Sequence, residues 1–464
     1  MDLATRTHRG VSGVAAALLV VVVVVVVEAR GHNTTRARPG WQPRLVGSTP
    51  LKHAAFIEAY FSEDAELDYL DRWSIYISTF DPLGGCECTK WLGSGDEVYR
   101  VRSPGRHMDN PSAWTVEEMD NTAFWPNNPD YLPSSVAGAE GVVWTSGFLV
   151  PGKGDGQLQM YQTGRDPMPP AVDIASLSTN TWSYHRVVWK DMDLDGDLDA
   201  LTARFHQPLL GSTKKELVWL ENEGQGFVEG WLQHVVAADG PDVSFAPVKL
   251  SAGGRDFDCL VIAEFFNERT SIYWTESEEG SWADPNLVRS RVINEHAGQV
   301  FDVLVDDFNR DGTLEFLATE YRKDLGVGQA TIYLFPEDFR TDDFTHFKIA
   351  DSFRPNQIIG AQTMSPGSPK TFYPTAEFAA GLAEDGLPHK PYILLSGDDD
   401  GRMYVLFPNS DARDDWVYQK HILIDTEETT IGKMAHGDFD GDGFEDVVVA
   451  GYSIGQLYLF TYNP

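Results

Sequence analysis

The chain has 464 residues, 42% of them hydrophobic, with 70 acidic against 36 basic side chains and a formal charge of −34. That much apolar content excludes general disorder. The acidic surface repels phosphate backbones and argues against nucleic acid as a partner, whereas acidic side chains are what hard cations require.

The N-terminus reads as a targeting segment. Arg6 and Arg9 precede a run from Val14 to Val27 made only of Val, Ala and Leu, and Val27-Glu28-Ala29 resembles a small-residue cleavage site. Residues 1–29 are therefore expected to be a signal peptide, with an uncleaved signal anchor as the alternative. Either route places the remainder outside the cytosol and allows membrane attachment only through that anchor. Residues 30–50 read as a linker carrying the glycosylation sequon Asn33-Thr34-Thr35. The three cysteines do not make a disulfide framework. Cys259 lies in an apolar run and is expected to pack as a small hydrophobe, while the state of Cys86-Glu-Cys88 stays open.

From residue 51 onward helical periodicity is nearly absent. Short apolar or alternating runs recur between Gly, Asp, Asn and Pro, the pattern of many antiparallel strands. One strand type returns near Ile75, Val143, Leu201, Val261, Leu317, Ile393 and Val448, at spacings of 68, 58, 60, 56, 76 and 55 residues. Each spacing holds about four short strands, the size of a propeller blade. A second feature recurs late in the unit, at Gln233-His-Val-Val, Ser290-Arg-Val-Ile, His346-Phe-Lys-Ile and Lys420-His-Ile-Leu, and reads as matching outer strands. The expected fold over 51–464 is all-β, a β-propeller of seven four-stranded blades. Only two strands follow the last anchor, so the last blade is short of a strand. His53 to Phe61 is the expected closing segment, because a closed ring leaves no long unpaired edge. Pro104 to Ser135 and Asp351 to Glu377 read as elaborated loops.

Three segments share one pattern. They are Asp191-Met-Asp193-Leu-Asp195-Gly196-Asp197-Leu-Asp199, Asp307-Phe-Asn309-Arg-Asp311-Gly312-Thr313-Leu-Glu315 and Asp438-Phe-Asp440-Gly-Asp442-Gly443-Phe444-Glu-Asp446. Oxygen side chains at positions 1, 3 and 5 converge if the backbone curls, and glycine at position 6 permits the curl. The carbonyl at position 7 and the carboxylate at position 9 then complete a shell. Calcium takes about six to eight oxygens and suits a flexible all-oxygen loop better than magnesium does. An EF-hand would need Glu at position 12, where Thr202, Ala318 and Val449 stand. Asn309 leaves the second loop with one negative charge fewer, and weaker binding is expected there. Gly253 to Asp258 and Glu384 to His389 hold the same repeat position without the ligand series.

These loops resemble the FG-GAP/VCBS calcium loops found in the propellers of integrin α chains and in many secreted proteins. Phe439-Asp-Gly-Asp-Gly-Phe-Glu-Asp-Val-Val-Val-Ala-Gly451 lies close to that consensus, and the resemblance extends over roughly residues 70–464. It implies three structural calcium ions and a role in adhesion or recognition.

No nucleophile elbow, zinc-protease helix or phosphate loop is present. His234 and His421 recur at one repeat position and read as strand residues; His185, His206 and His436 also read as structural. Trp114, Trp125 and Tyr131 are the aromatic residues expected to be free for sugar stacking. The expected function is a secreted or cell-surface module that binds an extracellular protein or glycan. A propeller-scaffold lyase or hydrolase acting on polysaccharide is the alternative, since such a site is assembled from separate blades and leaves no local motif.

Overall fold

Short strands joined by tight turns pair with their neighbours in the chain, and the computed structural model contains seven such sheets, each of four antiparallel strands. It describes residues 40, 42–81, 96–148, 150, 153–178, 181–208, 212–356 and 363–464. The expected leader, the sequon residue Asn33, Cys86 and Cys88 lie outside the described residues.

The sheets are the seven blades of a propeller. Their first strands are Ala54–Phe61, Pro126–Leu132, Ser183–Lys190, Ser244–Ala252, Gln299–Asp306, Pro369–Phe372 and Met434–Gly437. Most of these pack against the first strand of a neighbouring blade, and they are the innermost strands. Blades are numbered one to seven in that order.

The ring is held by seven apolar clusters, one at each junction between blades. The second strand of a blade faces two junctions at once. In Asp446–Gly451 all six residues are buried; Val447 and Val449 face blade six, while Val448 faces blade one. Burying such a side chain is worth roughly 1.5–3 kcal/mol. Two-sided burial also explains why the seven recurring anchors read as continuous apolar runs. All seven fall on second strands, and the four late repeats fall on outermost strands. Cys259 is fully buried among these clusters.

Three expectations about the connecting segments are corrected. Blade seven does lack a strand, but Arg44–Pro50 supplies it, pairing antiparallel with Gln456–Thr461. The expected linker therefore ends inside the propeller. His53 to Phe61 cannot close that edge, because Ala54–Phe61 is the innermost strand of blade one. Its first four residues are buried, whereas the closing strand has one buried residue, Thr49, and is otherwise exposed or half-buried, as an outermost strand tolerates.

Pro104 to Ser135 is not a free loop either. It contributes the outermost strand Val116–Asp120 of blade one and the whole innermost strand Pro126–Leu132 of blade two. Trp114 and Trp125 are buried and unavailable to a sugar. Trp114 donates its indole N–H to the Pro104 carbonyl, and Trp125 stacks on Phe80 and Phe148 with centroids 4.1 and 5.0 Å away. Tyr131 lies half-buried on the innermost strand of blade two, with its ring against Tyr60. Asp351 to Glu377 likewise holds the end of one outermost strand and the innermost strand Pro369–Phe372.

Candidate functional site

The three aspartate segments occupy one structural position. Each joins the innermost strand to the second strand, in blades three, five and seven. The same connection is a two-residue Gly253-Gly254 turn in blade four, too short to curl around an ion.

The loops follow one backbone path. Position 4 has positive φ in all three, at 70° for Leu194, 59° for Arg310 and 76° for Gly441. Position 6 is left-handed as well, at 105°, 93° and 87° for Gly196, Gly312 and Gly443. A glycine there avoids the clash that an L side chain would meet.

This path turns backbone N–H groups onto the carboxylates. Position 1 accepts from position 6: Gly196 N to Asp191 at 3.2 Å, Gly312 N to Asp307 at 2.9 Å and Gly443 N to Asp438 at 3.0 Å. Position 3 accepts from position 5, with Asp193, Asn309 and Asp440 taking the N–H of Asp195, Asp311 and Asp442. Position 5 accepts from position 7, the N–H of Asp197, Thr313 and Phe444. Carboxylate oxygens of Asp191, Asp193 and Asp195 lie within 4.8 Å of one another, as do those of Asp438, Asp440 and Asp442. Such an arrangement is repulsive unless protons or a cation offset it.

Position 9 behaves differently from positions 1, 3 and 5. Asp199, Glu315 and Asp446 are almost wholly buried. Each accepts the backbone N–H of position 2, from Met192, Phe308 and Phe439 at 2.8, 2.9 and 3.0 Å. Burial, with nearby loop carboxylates adding to it, pushes Asp199 up to about 6 and Glu315 and Asp446 up to about 8. These carboxylates latch the loop shut. Position 2 is the element that a reading of the acidic residues alone passes over. Its apolar side chain is fully buried in the next junction, beside blade four, six or one. A recurring apolar residue between the oxygen-bearing side chains of positions 1 and 3 was the available signal.

The second loop is the odd one. The Asn309 amide donates to Asp311 at 2.9 Å and to the Arg413 carbonyl at 3.2 Å. The Arg413 guanidinium donates to the Asn309 carbonyl, and Arg310 pairs with Asp306 at 2.7 Å. Protein donors and cations therefore already occupy the space around this loop. Thr313 donates its hydroxyl to Asp311, while Phe444 in the third loop packs beside the junction of blades six and seven.

A second constellation lies at the centre of the ring. A cavity of about 340 Å³ is lined from the innermost-strand region of all seven blades. Glu58 pairs with Lys370 across it. Asp302 accepts from the Ser244 hydroxyl at 2.5 Å and lies 3.8 Å from Arg186, and nearby Lys433 and Arg186 offset burial to hold its carboxyl below the usual range. Lys433 donates to Asn128 at 3.0 Å. Burial pushes Asp130 up to about 6 and lowers His185 to about 3, so that ring is neutral near physiological pH. None of these residues shares a local motif with another. By contrast, His234 and His421 do sit on outermost strands, stacked on Trp219 and Phe407.

No protein-family model matches the chain, and no curated protein matches it. Solved structures do resemble it. The Dos1 propeller is 9% identical with a TM-score of 0.42, covering 92% of this chain and 96% of that one. Drosophila Plexin A in complex with Semaphorin 1b is 7% identical with a TM-score of 0.41, over 90% and 87% of the two chains. An α-L-arabinofuranosidase from Fusarium graminearum is 10% identical with a TM-score of 0.37, over 91% and 98%. At such identities the likeness concerns the propeller fold and says nothing of activity.

Proposed function

We propose that this chain is a calcium-stabilised propeller of the FG-GAP/VCBS type that leaves the cytosol and binds an extracellular protein or carbohydrate. The observation that supports the calcium sites is the shared backbone path of the three loops, left-handed at positions 4 and 6, at one connection in alternate blades. In this reading Asp191, Asp193, Asp195, Asp307, Asn309, Asp311, Asp438, Asp440 and Asp442 supply side-chain oxygens. Residues 197, 313 and 444 supply carbonyls, and Asp199, Glu315 and Asp446 close the shell. Calcium would neutralise the crowded carboxylates and pin the entry to each second strand. One site at a hundredfold excess of ion over Kd adds about 2.7 kcal/mol. The test is thermal melting with calcium and with a chelator. A fall of several degrees on chelation is expected; an unchanged melting temperature sinks the proposal.

The second reading is an enzyme acting on polysaccharide or sugar. What favours it is the set of ionisable side chains converging in the central cavity. Incubation with a glycan panel separates the two: retention without change supports a binding module, and product formation supports the enzyme.

A further inference from the structure

We propose that the central cavity is the ligand site of this propeller and that it takes a small hydroxylated carboxylate, a sugar acid one ring in size. The inference deepens the reading of the chain as a binding module and rests on it.

The argument is a count of which hydrogen-bonding groups are already satisfied. The cavity carboxylates are engaged. Asp130 accepts from Val187 N and from the Asn128 amide, both at 2.7 Å. Asp302 accepts from Ser244 and from Val303 N, and Glu58 is held by Lys370. The donors are not engaged to the same degree. Lys433 has three N–H groups and, among the described residues, one acceptor, Asn128. Arg186 lines the cavity with five N–H groups and, among the described residues, donates from Nη1 to the Ser244 hydroxyl at 3.2 Å. His185 lines the cavity, is 6% exposed and has no hydrogen bond among the described residues. Its ring is held edge-on by Phe56 and Phe301, with centroids at 5.4 and 5.6 Å. Donors that face the cavity without a protein acceptor are free to bond a ligand placed there.

Spare capacity that is mainly donor selects a ligand rich in acceptors. A carboxylate facing Lys433 and Arg186 makes charge-assisted bonds of the stronger kind. The neutral His185 ring offers one donor and one acceptor, which suits a hydroxyl. The volume, about 340 Å³, is at the lower end for small-molecule pockets. In a chain of charge −34, an anion would be repelled almost everywhere else.

Saturation-transfer NMR on the purified protein in calcium buffer tests this, with glucuronate, galacturonate and gluconate as probes. Glucose, galactose and inorganic phosphate serve as comparators. Transfer to at least one sugar acid is expected, at least tenfold weakened in Lys433→Met and in His185→Phe. The melting temperature of each variant shows whether it has folded, and Arg186→Gln replaces either that has not. Absence of transfer to all three acids overturns the proposal. So does equal binding of the neutral sugars, displacement by phosphate, or binding unchanged in folded variants. New sugar resonances growing with time would leave the site standing and overturn the binding-module reading instead.

Discussion

The ammonium of Lys433 donates to Asn128 Oδ1 at 3.0 Å, joining residues 305 positions apart. Lys433 leads into the innermost strand of blade seven and Asn128 lies on that of blade two, so the bond reaches past blade one across the ring. Asn128→Ala removes the one hydrogen-bond acceptor that this half-buried ammonium has among the described residues. We expect a loss of about 1–3 kcal/mol, read as a lower urea midpoint with unchanged slope.

The loop glycines at position 6 provide a second prediction. A Cβ at Gly196 or Gly443 would meet no atom within 4 Å, so any cost is conformational. With φ at 105° and 87°, each Gly→Ala change is expected to cost about 1–2 kcal/mol. Differential scanning calorimetry should show that loss in calcium and in chelator alike.

Binding to the three loops should be unequal. Asn309 and the neighbouring Arg413 leave the second loop with less negative charge and fewer free oxygens. Calorimetric titration of calcium is expected to resolve two tighter sites and one weaker. Asn309→Asp should strengthen the weaker site, and three equal sites would contradict this account.

Stability should fall in acid through His185. Burial lowers its folded value to about 3, against about 6.5 in the unfolded chain. The unfolded state therefore binds the extra proton between these values. The contribution is fully present above about pH 6.5 and is lost as pH falls towards about 3. His185→Phe removes the titration, so the gap in urea midpoint between variant and parent should shift in the variant's favour below pH 6.5.

The closing strand is the fifth test. A chain beginning at residue 52 loses Arg44–Pro50 and leaves Gln456–Thr461 as an open edge. Edge strands of this kind recruit other chains. Light scattering should detect aggregation at temperatures where the intact protein stays monodisperse.

The sequence by itself determined the features that depend on near neighbours in the chain. The second strands are apolar throughout because both their faces are buried, so Ile75, Val143 and Val448 stand out without any knowledge of the fold. The aspartate loops are legible for the same reason: Asp438, Asp440 and Asp442 meet over five residues, and Gly443 permits the turn between them. Only the tertiary structure decided which strand closes the ring, since Arg44–Pro50 and Ala54–Phe61 are equally strand-like alone and differ in the partners the curved sheets offer. It also decided that Trp114 and Trp125 are core rather than ligand platform, because a ring reads the same in sequence whichever side it faces. The central cavity was beyond reach for a physical reason. Glu58, Asp130, His185, Asp302 and Lys433 come from five blades, and their convergence is set by closure of the ring. The aspartate loops are written in one stretch each; the charged centre, written one residue at a time, is assembled only when the ring closes.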